Sequence, residues 1–398
     1  MDDLGIGYAI IRLIMIKIPK NYILAIFTLV GMTMGVGMLS VPYTIYQAGV
    51  LPVIGYFLGL GAITLFINLA YGELNLRTEG KHRLIGFIRK YLGNKYFRIS
   101  TVTSTFSIWG ALLAYILVGG KYLTLMFGGL GGNELFYQTI FFVIFAFLIT
   151  RGLRRMAEVN FALSALKVIL LIGFVIFYSR FIDTANYVAV DWPNIFFPYG
   201  IILFAIGGSA AVPEMRDILG SRGENKLKPA IIWGTLISVS LIALWGFVVA
   251  GIMGAGTTDE SIVGLAGELG GAVALIGSTF GFLLVATAFL VLGENLMEQF
   301  RYDLSIKYKW LAAGLALIVP FVFLLIVKPN LVQVISITGA VFGAVDLVFL
   351  ICAYLKSRKT TPLPAALYIK HALLWGGIAL VIFKLGAIYE LYFTFFAR

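Results

Sequence analysis

The stretch Gly37-Met38-Leu39-Ser40-Val41-Pro42 returns 171 residues later as Gly208-Ser209-Ala210-Ala211-Val212-Pro213, and each copy lies inside a long apolar run with a further glycine just upstream, Gly35 and Gly207. Glycine lowers helix stability and lets the backbone open, and a proline suits the first turn of a helix that restarts. Unpaired backbone groups are costly in lipid, so an opened helix is tolerated only where protein buries it or where it lines a cavity. Matched interruptions in two halves of one chain are the best pointer in a sequence to a transporter's substrate site.

Composition sets the class around that pair. Of 398 residues 60% are hydrophobic and 12% charged, with mean hydropathy +0.97, which excludes a soluble domain. A spanning helix needs about 20 mostly apolar residues. Eleven runs qualify, near 22–48, 51–74, 101–126, 135–151, 157–181, 195–219, 229–253, 270–298, 310–327, 330–355 and 370–394. With the N-terminus in the cytoplasm, the inner segments hold 24 lysines and arginines, among them Arg77, Arg83, Arg154, Arg155, Arg216, Arg301 and Arg358; the outer ones hold Lys121, Arg180, Lys328 and Arg398. This contrast orients the chain in the cell membrane, N-terminus inside and C-terminus outside. The net charge of +11 is therefore a topology signal. It does not indicate nucleic acid, since no basic patch is interleaved with aromatics on a polar surface.

Residues 4–18 are apolar but too short to span and carry Arg12 and Lys17, which predicts an amphipathic segment lying on the membrane or the bundle. No small-residue cleavage site follows, which argues against a signal peptide. Cys352 is the sole cysteine, so no intrachain disulfide forms. The loop 254–269 has apolar spacing (Ile262, Val263, Leu265, Ala266, Leu269) that suits a short lid helix, and 80–98 is a similar inner segment with Leu84, Ile85, Phe87, Ile88 and Tyr91.

An enzyme reading has nothing to stand on. His82 and His371, the only histidines, fall at inner membrane edges and read as solvated; no Cys/His/Asp/Glu cluster offers a metal site, and no cofactor motif is present. The breaks do offer a site. Opening the first span frees N–H groups near Gly35, Val36 and Gly37, which with the positive end of the following half-helix suit a carboxylate. Carbonyls freed near Met32, Thr33, Phe204 and Ala205 suit an ammonium group, so a zwitterion satisfies both ends.

Gly31-Met-Thr-Met-Gly-Val-Gly-Met-Leu-Ser-Val-Pro-Tyr43 with the later Gln47-Ala48-Gly49 resembles the first helix of the amino acid/auxin permease family. Leu203-Phe204-Ala205-Ile206-Gly207-Gly208 followed by Val212-Pro213-Glu214-Met215 is similar to that family's sixth helix. Gly110 with Tyr115 in the third span and, more loosely, Ala286-Thr287-Ala288-Phe289-Leu290 in the eighth also fit. The resemblance runs through most of the chain. It implies an all-α membrane protein with the 5+5 inverted-repeat (LeuT-like) fold of the amino-acid–polyamine–organocation superfamily, with spans 1 and 6 broken. Residues 1–21 then form the cytoplasmic N-terminal segment, 22–182 the first repeat, 195–355 the second, and 370–395 a peripheral eleventh helix. The implied activity is amino-acid transport by alternating access, with substrate contacts at Thr33, Gly35, Val36, Gly37, Tyr115, Phe204, Ala205, Gly207, Gly208 and Ser209.

Charges inside a membrane are functional candidates by default. Lys167 lies ten residues past Ala157, about 15 Å from the inner end of the fifth span, too deep for easy snorkelling. One reading is structural; the other puts its ammonium in place of a coupling cation between spans 1, 5 and 8, as sodium-independent relatives resemble. Some sodium-coupled relatives have Thr-Ser where this chain has Thr287-Ala288, a departure that removes a hydroxyl ligand. Glu214, after Pro213, is a further coupling candidate or else an ion pair or cap of its half-helix. Asp346 and Glu294 are expected to pair with basic residues, and Lys384 to be peripheral.

Ser107, Ile108, Ala111, Tyr115, Ser209 and Phe289 are expected around the side-chain pocket. None is a charged group near the break, which favours a neutral, apolar or small amino acid. The 15% aromatic content, ordinary for membrane helices, does not argue for an aromatic one. The expectation is a secondary transporter of neutral amino acids, proton-linked or sodium-independent, with no cofactor. The competing readings are an amino-acid-binding membrane sensor, a sodium-coupled symporter and a channel; a sensor wants a long signalling tail, and a channel wants a polar stripe that the helices lack.

Overall fold

The computed structural model describes residues 19–80, 82–151, 156–262, 264–265, 271–327, 330–360 and 369–396. The segment 4–18 and Lys81, Arg154, Arg155, Val263, Ala266, Leu269, Lys328 and Arg398 lie outside them.

All eleven apolar runs form helices. The first span is α1 (Lys20–Thr33) and α2 (Val41–Ala48), joined by a 3-10 turn at Val36–Ser40. There follow α3 (Val50–Leu76), the short α4 (Leu84–Leu92), α5 (Asn94–Phe127), α6 (Glu134–Arg151) and α7 (Met156–Tyr178). The second half opens like the first, with α8 (Pro198–Ala205), a 3-10 turn at Ser209–Ala211 and α9 (Val212–Leu219). It continues through α10 (Leu227–Met253), α11 (Gly271–Tyr302), α12 (Lys309–Val327), α13 (Leu331–Ile337), a π-helical turn at Thr338–Gly343 and α14 (Ala344–Thr360); α15 (Ala372–Phe396) follows. Among the described residues nine helical stretches are long and apolar enough to cross a bilayer, the α1–α2 pair bent by 50° makes a tenth, and α6 is apolar but shorter.

Both interruptions restart as the proline chemistry predicts: Pro42 and Pro213 each sit in the first turn of the second half-helix, where a missing N–H leaves no acceptor wanting. The third span begins earlier than its apolar run. Gly93, at φ +92, ends α4 and admits the chain at once into α5, so the polar turn from Asn94 is already helical. The tenth span carries a π turn that no sequence signal announced. Such turns are rare and concentrate at functional sites.

The alternation of helices gathers the described arginines and lysines of the predicted inner loops at one end of the bundle, here termed the basic end. They do more there than set topology. Buried Glu73 in α3 pairs with Arg77 at 2.7 Å and Arg358 at 3.4 Å, and accepts from the Tyr354 hydroxyl at 2.8 Å and the Ile369 N–H at 3.2 Å. Arg216 at the end of α9 donates to the Asn75 carbonyl at 2.7 Å and side chain at 2.8 Å, and pairs with Glu224 at 3.1 Å. A buried charge stripped of a partner is strongly destabilising, so each such group fixes helix ends against one another.

The opposite end is closed by the described part of loop 254–269. It starts with a 3-10 turn at Gly254–Gly256 and buries Ile262 and Leu265. Ser40 donates to the Asp259 carbonyl at 2.7 Å, Tyr122 to the Glu260 carboxylate, and the Trp245 indole to the Ser261 hydroxyl at 3.3 Å. Outside, Leu58, Ile176, Ile326 and Leu373 stand exposed on the bundle's flanks, where an apolar surface suits lipid.

Candidate functional site

The two interruptions face each other at the centre of the bundle. A Cβ on Gly37 would meet Ala205 Cα and Phe204 Cδ1 at 2.7 Å, and one on Gly208 would meet the Thr33 hydroxyl, so each break is built against the other with no room for a side chain. Between α1 and the first 3-10 turn, Gly35 is extended (φ −120°, ψ −160°). Gly35 donates to the Thr33 carbonyl at 2.9 Å, so these two groups, expected free, occupy each other. Likewise the Phe204 carbonyl accepts from Gly207 at 3.1 Å. The donors left over are Val36 and Gly37, which open the 3-10 turn; its first closing bond runs from Met38 to Gly35. They aim N–H groups from a helical start, an anion-binding arrangement. The Met32 and Ala205 carbonyls take part in no turn bond at the breaks.

A cavity of about 180 Å³ extends from the breaks toward the basic end. Thr33, Gly35, Gly37, Tyr115, Phe204, Gly207, Gly208 and Ser209 line it; Val36 and Ala205 stand behind the wall, buried. On α5 its wall is Ser104, Ser107, Ile108 and Ala111, on α11 Leu292, Asn295 and Gln299, and across the π turn Thr338, Gly339 and Gly343. The π turn brings Gly339 against α8: a Cβ there would meet the Gly200 carbonyl at 2.6 Å. The Tyr115 hydroxyl closes on Gly35, 2.8 Å from where a Cβ would stand.

Phe289 does not reach the cavity. It is fully buried between α11 and α6, edge-on to Phe141 at 5.5 Å, because α11 turns its Leu292–Asn295–Gln299 face to the space instead. Asp346 also departs from expectation. It lines the cavity with the Thr103 hydroxyl on its Oδ1 at 2.6 Å and no ion pair among the described residues. The basic residues of its own helix are too far along to serve it: Arg358, twelve residues or about 18 Å on, goes to Glu73. Glu294 has no ion pair among the described residues either. Sequence reasoning missed Ser104, Asn295, Gln299 and the π-turn residues; their signal is a polar residue every turn on one face of an otherwise apolar helix.

Lys167, fully buried, places its ammonium 3.0 Å from the Gly31 carbonyl, 3.5 Å from that of Met34 and 2.8 Å from the Thr287 hydroxyl. It thus joins α7 to the broken end of α1 and to α11, just behind the cavity wall. Glu214 lies in the first turn of α9, where a carboxylate suits the helix start, and outside the cavity lining. At the basic end, α4 is latched to α11: Arg83 pairs with Glu298 at 2.6 Å, and His82 Nδ1 lies 3.9 Å from Asp303. His82, read as solvated, is thus only partly so, its ring also meeting Phe87. Lys384 is exposed on α15, and among the described residues no three metal-ligating side chains cluster.

Two broken helices facing each other over a cavity, inside a multi-pass bundle, define a LeuT-like fold. The backbone agrees with solved members: MhsT in complex with L-phenylalanine superposes with a TM-score of 0.69 at 15% identity over 95% of this chain and 99% of that one. A manganese transporter from Eremococcus coleocola gives 0.66 at 14% identity, over 95% and 88%. Within that fold, the chain belongs to the tryptophan/tyrosine permease family, whose model matches residues 19–390. It is 23% identical over 353 residues to the tyrosine-specific transport system 1 of Haemophilus influenzae, covering 83% of this chain and 86% of that protein. The family is this one rather than the amino acid/auxin permeases that the first and sixth spans resemble. The protein is therefore an integral membrane amino-acid permease and not an enzyme.

Proposed function

We propose that this permease carries an aromatic amino acid across the cell membrane by alternating access, with the basic end in the cytoplasm, the C-terminus outside, and residues 22–182 and 195–355 as the two moving repeats. The observation that carries the reading is the pair of breaks packed against each other, Gly37 on the Ala205 backbone and Gly208 on Thr33, at the end of one cavity. The substrate carboxylate takes the Val36 and Gly37 N–H groups, its ammonium the carbonyls at the ends of α1 and α8, and its ring the space between Ile108, Ala111, Phe204 and the π turn. The family's name and the tyrosine-specific relative support an aromatic ring over other neutral side chains.

Lys167 favours coupling without sodium. The two carbonyls and one hydroxyl around its ammonium are the oxygens a sodium ion would want, and they are taken. Protons are then the coupling ion. The test is uptake into proteoliposomes of L-tyrosine, L-tryptophan and L-phenylalanine against L-alanine and L-glutamate, with and without sodium, under an imposed pH gradient. Sodium-free, gradient-driven uptake of the aromatic set is expected. Preference for alanine or glutamate overturns the substrate, and strict sodium dependence overturns the coupling.

A further inference from the structure

Among the described residues Asp346 is the one carboxylate on the cavity wall. Its Oδ1 accepts from the Thr103 hydroxyl at 2.6 Å, the one hydrogen bond this carboxylate makes among the described residues, and the residue lines the cavity. A buried polar group left without a partner is expensive, and one that faces a binding cavity finds its partner in the ligand. Beside it the wall turns polar. Ser104 donates to the Gln299 carbonyl oxygen at 3.1 Å, and the Gln299 amide nitrogen, on a side chain 1% exposed, is itself unpaired. Between this patch and the breaks, α5 contributes Ser107, Ile108 and Ala111 to the wall and α8 contributes Phe204.

Position sets the length of what fits. Gly339 lies against Phe204 at the level of the second break, and Asp346 follows it by seven residues, roughly 10 Å along the helix. That is the reach of a tyrosine or tryptophan from its ammonium to a hydrogen-bond acceptor beyond its ring. The main-chain ends of the substrate have their partners at the breaks, so the carboxylate at the far end is left for the side chain.

We propose that Asp346 reads the distal donor of the substrate, accepting a hydrogen bond from the phenol hydroxyl of tyrosine or the indole N–H of tryptophan, and so discriminates against phenylalanine. The proposal rests on the aromatic reading of the site and deepens it. A site built to hydrogen-bond a substrate hydroxyl rejects the analogue lacking it far more strongly than an apolar pocket rejects a change of one methylene, because its own polar group is left unpaired.

The experiment is equilibrium binding to purified protein, by competition and by thermal shift, of L-tyrosine, L-tryptophan, L-phenylalanine and O-methyl-L-tyrosine. Wild-type protein is expected to bind tyrosine and tryptophan at least about tenfold tighter than the other two. In Asp346→Ala the preference collapses, tyrosine falling to the level of phenylalanine while phenylalanine binding stays. Equal binding of all four by wild-type protein overturns the proposal. So does an Asp346→Ala protein that loses all four by one factor, which would assign the carboxylate to the main-chain end or to coupling. The wild-type series decides even if the variant fails to fold. Failure of wild-type protein to bind any aromatic amino acid refutes the parent reading, and with it this one; binding without discrimination refutes this one alone.

Discussion

An ammonium group cut off from water must find oxygen atoms, and Lys167 finds them on α1 and α11, which the proposed transport cycle moves apart. Lys167→Met keeps the packing volume and removes the charge, leaving the Gly31 and Met34 carbonyls and the Thr287 hydroxyl facing a thioether. The expected outcome is folded protein that still binds tyrosine but loses uphill accumulation by about tenfold or more, since one lost charge-assisted contact is worth 1.5–3 kcal/mol. Normal accumulation in proteoliposomes would make Lys167 a packing residue. Gly37 makes the complementary case. Leucine there must enter space held by Ala205 backbone at 2.7 Å, so Gly37→Leu is expected to abolish uptake and binding together while the protein still reaches the membrane. Both residues were legible in the sequence, one as a lone lysine deep in an apolar run, the other as half of a repeat. Glu73 and Asp346 were not. Arg77, one turn from Glu73, is a partner the sequence offers, but the Tyr354 and Thr103 hydroxyls that complete the two sites lie 281 residues from Glu73 and 243 from Asp346.

Helix α4 shows how an element is held by chemistry outside it. Its start carries no cap from its own sequence. The Asp303 carboxylate at the end of α11 lies beside that start, close to the Arg83 and Gly86 N–H groups and 3.9 Å from His82 Nδ1, while Arg83 reaches Glu298. Burial lifts the Asp303 carboxyl above its ordinary value of 3.8, and His82 and those N–H groups offset part of that rise. The sign follows. A folded-state pKa above the unfolded one means that folding favours the protonated acid. The contribution of Asp303 to stability is therefore full below pH 3.8 and is lost as pH rises through the folded value. Asp303→Asn keeps an acceptor for α4 and removes the titration, so its melting temperature in detergent is expected to gain on wild type as pH is raised from acid to neutral. A difference that stays flat with pH, or a variant that loses ground as pH rises, would deny the carboxylate this role. At this scale most of the fold could be read in advance, because hydropathy and glycine-proline punctuation are local. The π turn and the early start of α5 could not, since one is set by Gly339 packing on α8 and the other by Gly93 closing a loop to nothing.

Across the whole molecule the cavity is one-sided. From the breaks it runs toward the basic end along α5, α11 and α14, while Ser40, Tyr122 and Trp245 tie the opposite end to the segment 257–262. The basic end is the cytoplasmic one in the topology proposed above from the lysine and arginine bias. Together these make a specific expectation for a cysteine at Ser107, on the cavity wall, in protein whose Cys352 has been replaced by serine. It should react with an impermeant thiol reagent in inside-out vesicles and resist it in right-side-out ones, and saturating L-tyrosine should slow the reaction. Two further cysteines set the frame: one at Gly256, in the 3-10 turn at the closed end, should react only from outside, and one at Gly223, between α9 and α10, only from inside. Reversal at these two would invert the topology and with it the direction in which the cavity opens. Correct labelling at both, with a Ser107→Cys protein that reacts equally from either face, would mean that the contacts at the far end do not hold the bundle shut. The latch variant Glu298→Gln separates these outcomes. It frees α4 at the basic end, so it should raise the inside reactivity of Ser107→Cys severalfold while leaving the Gly256→Cys rate unchanged, and a rise at both positions would reject a gate made of these two ends.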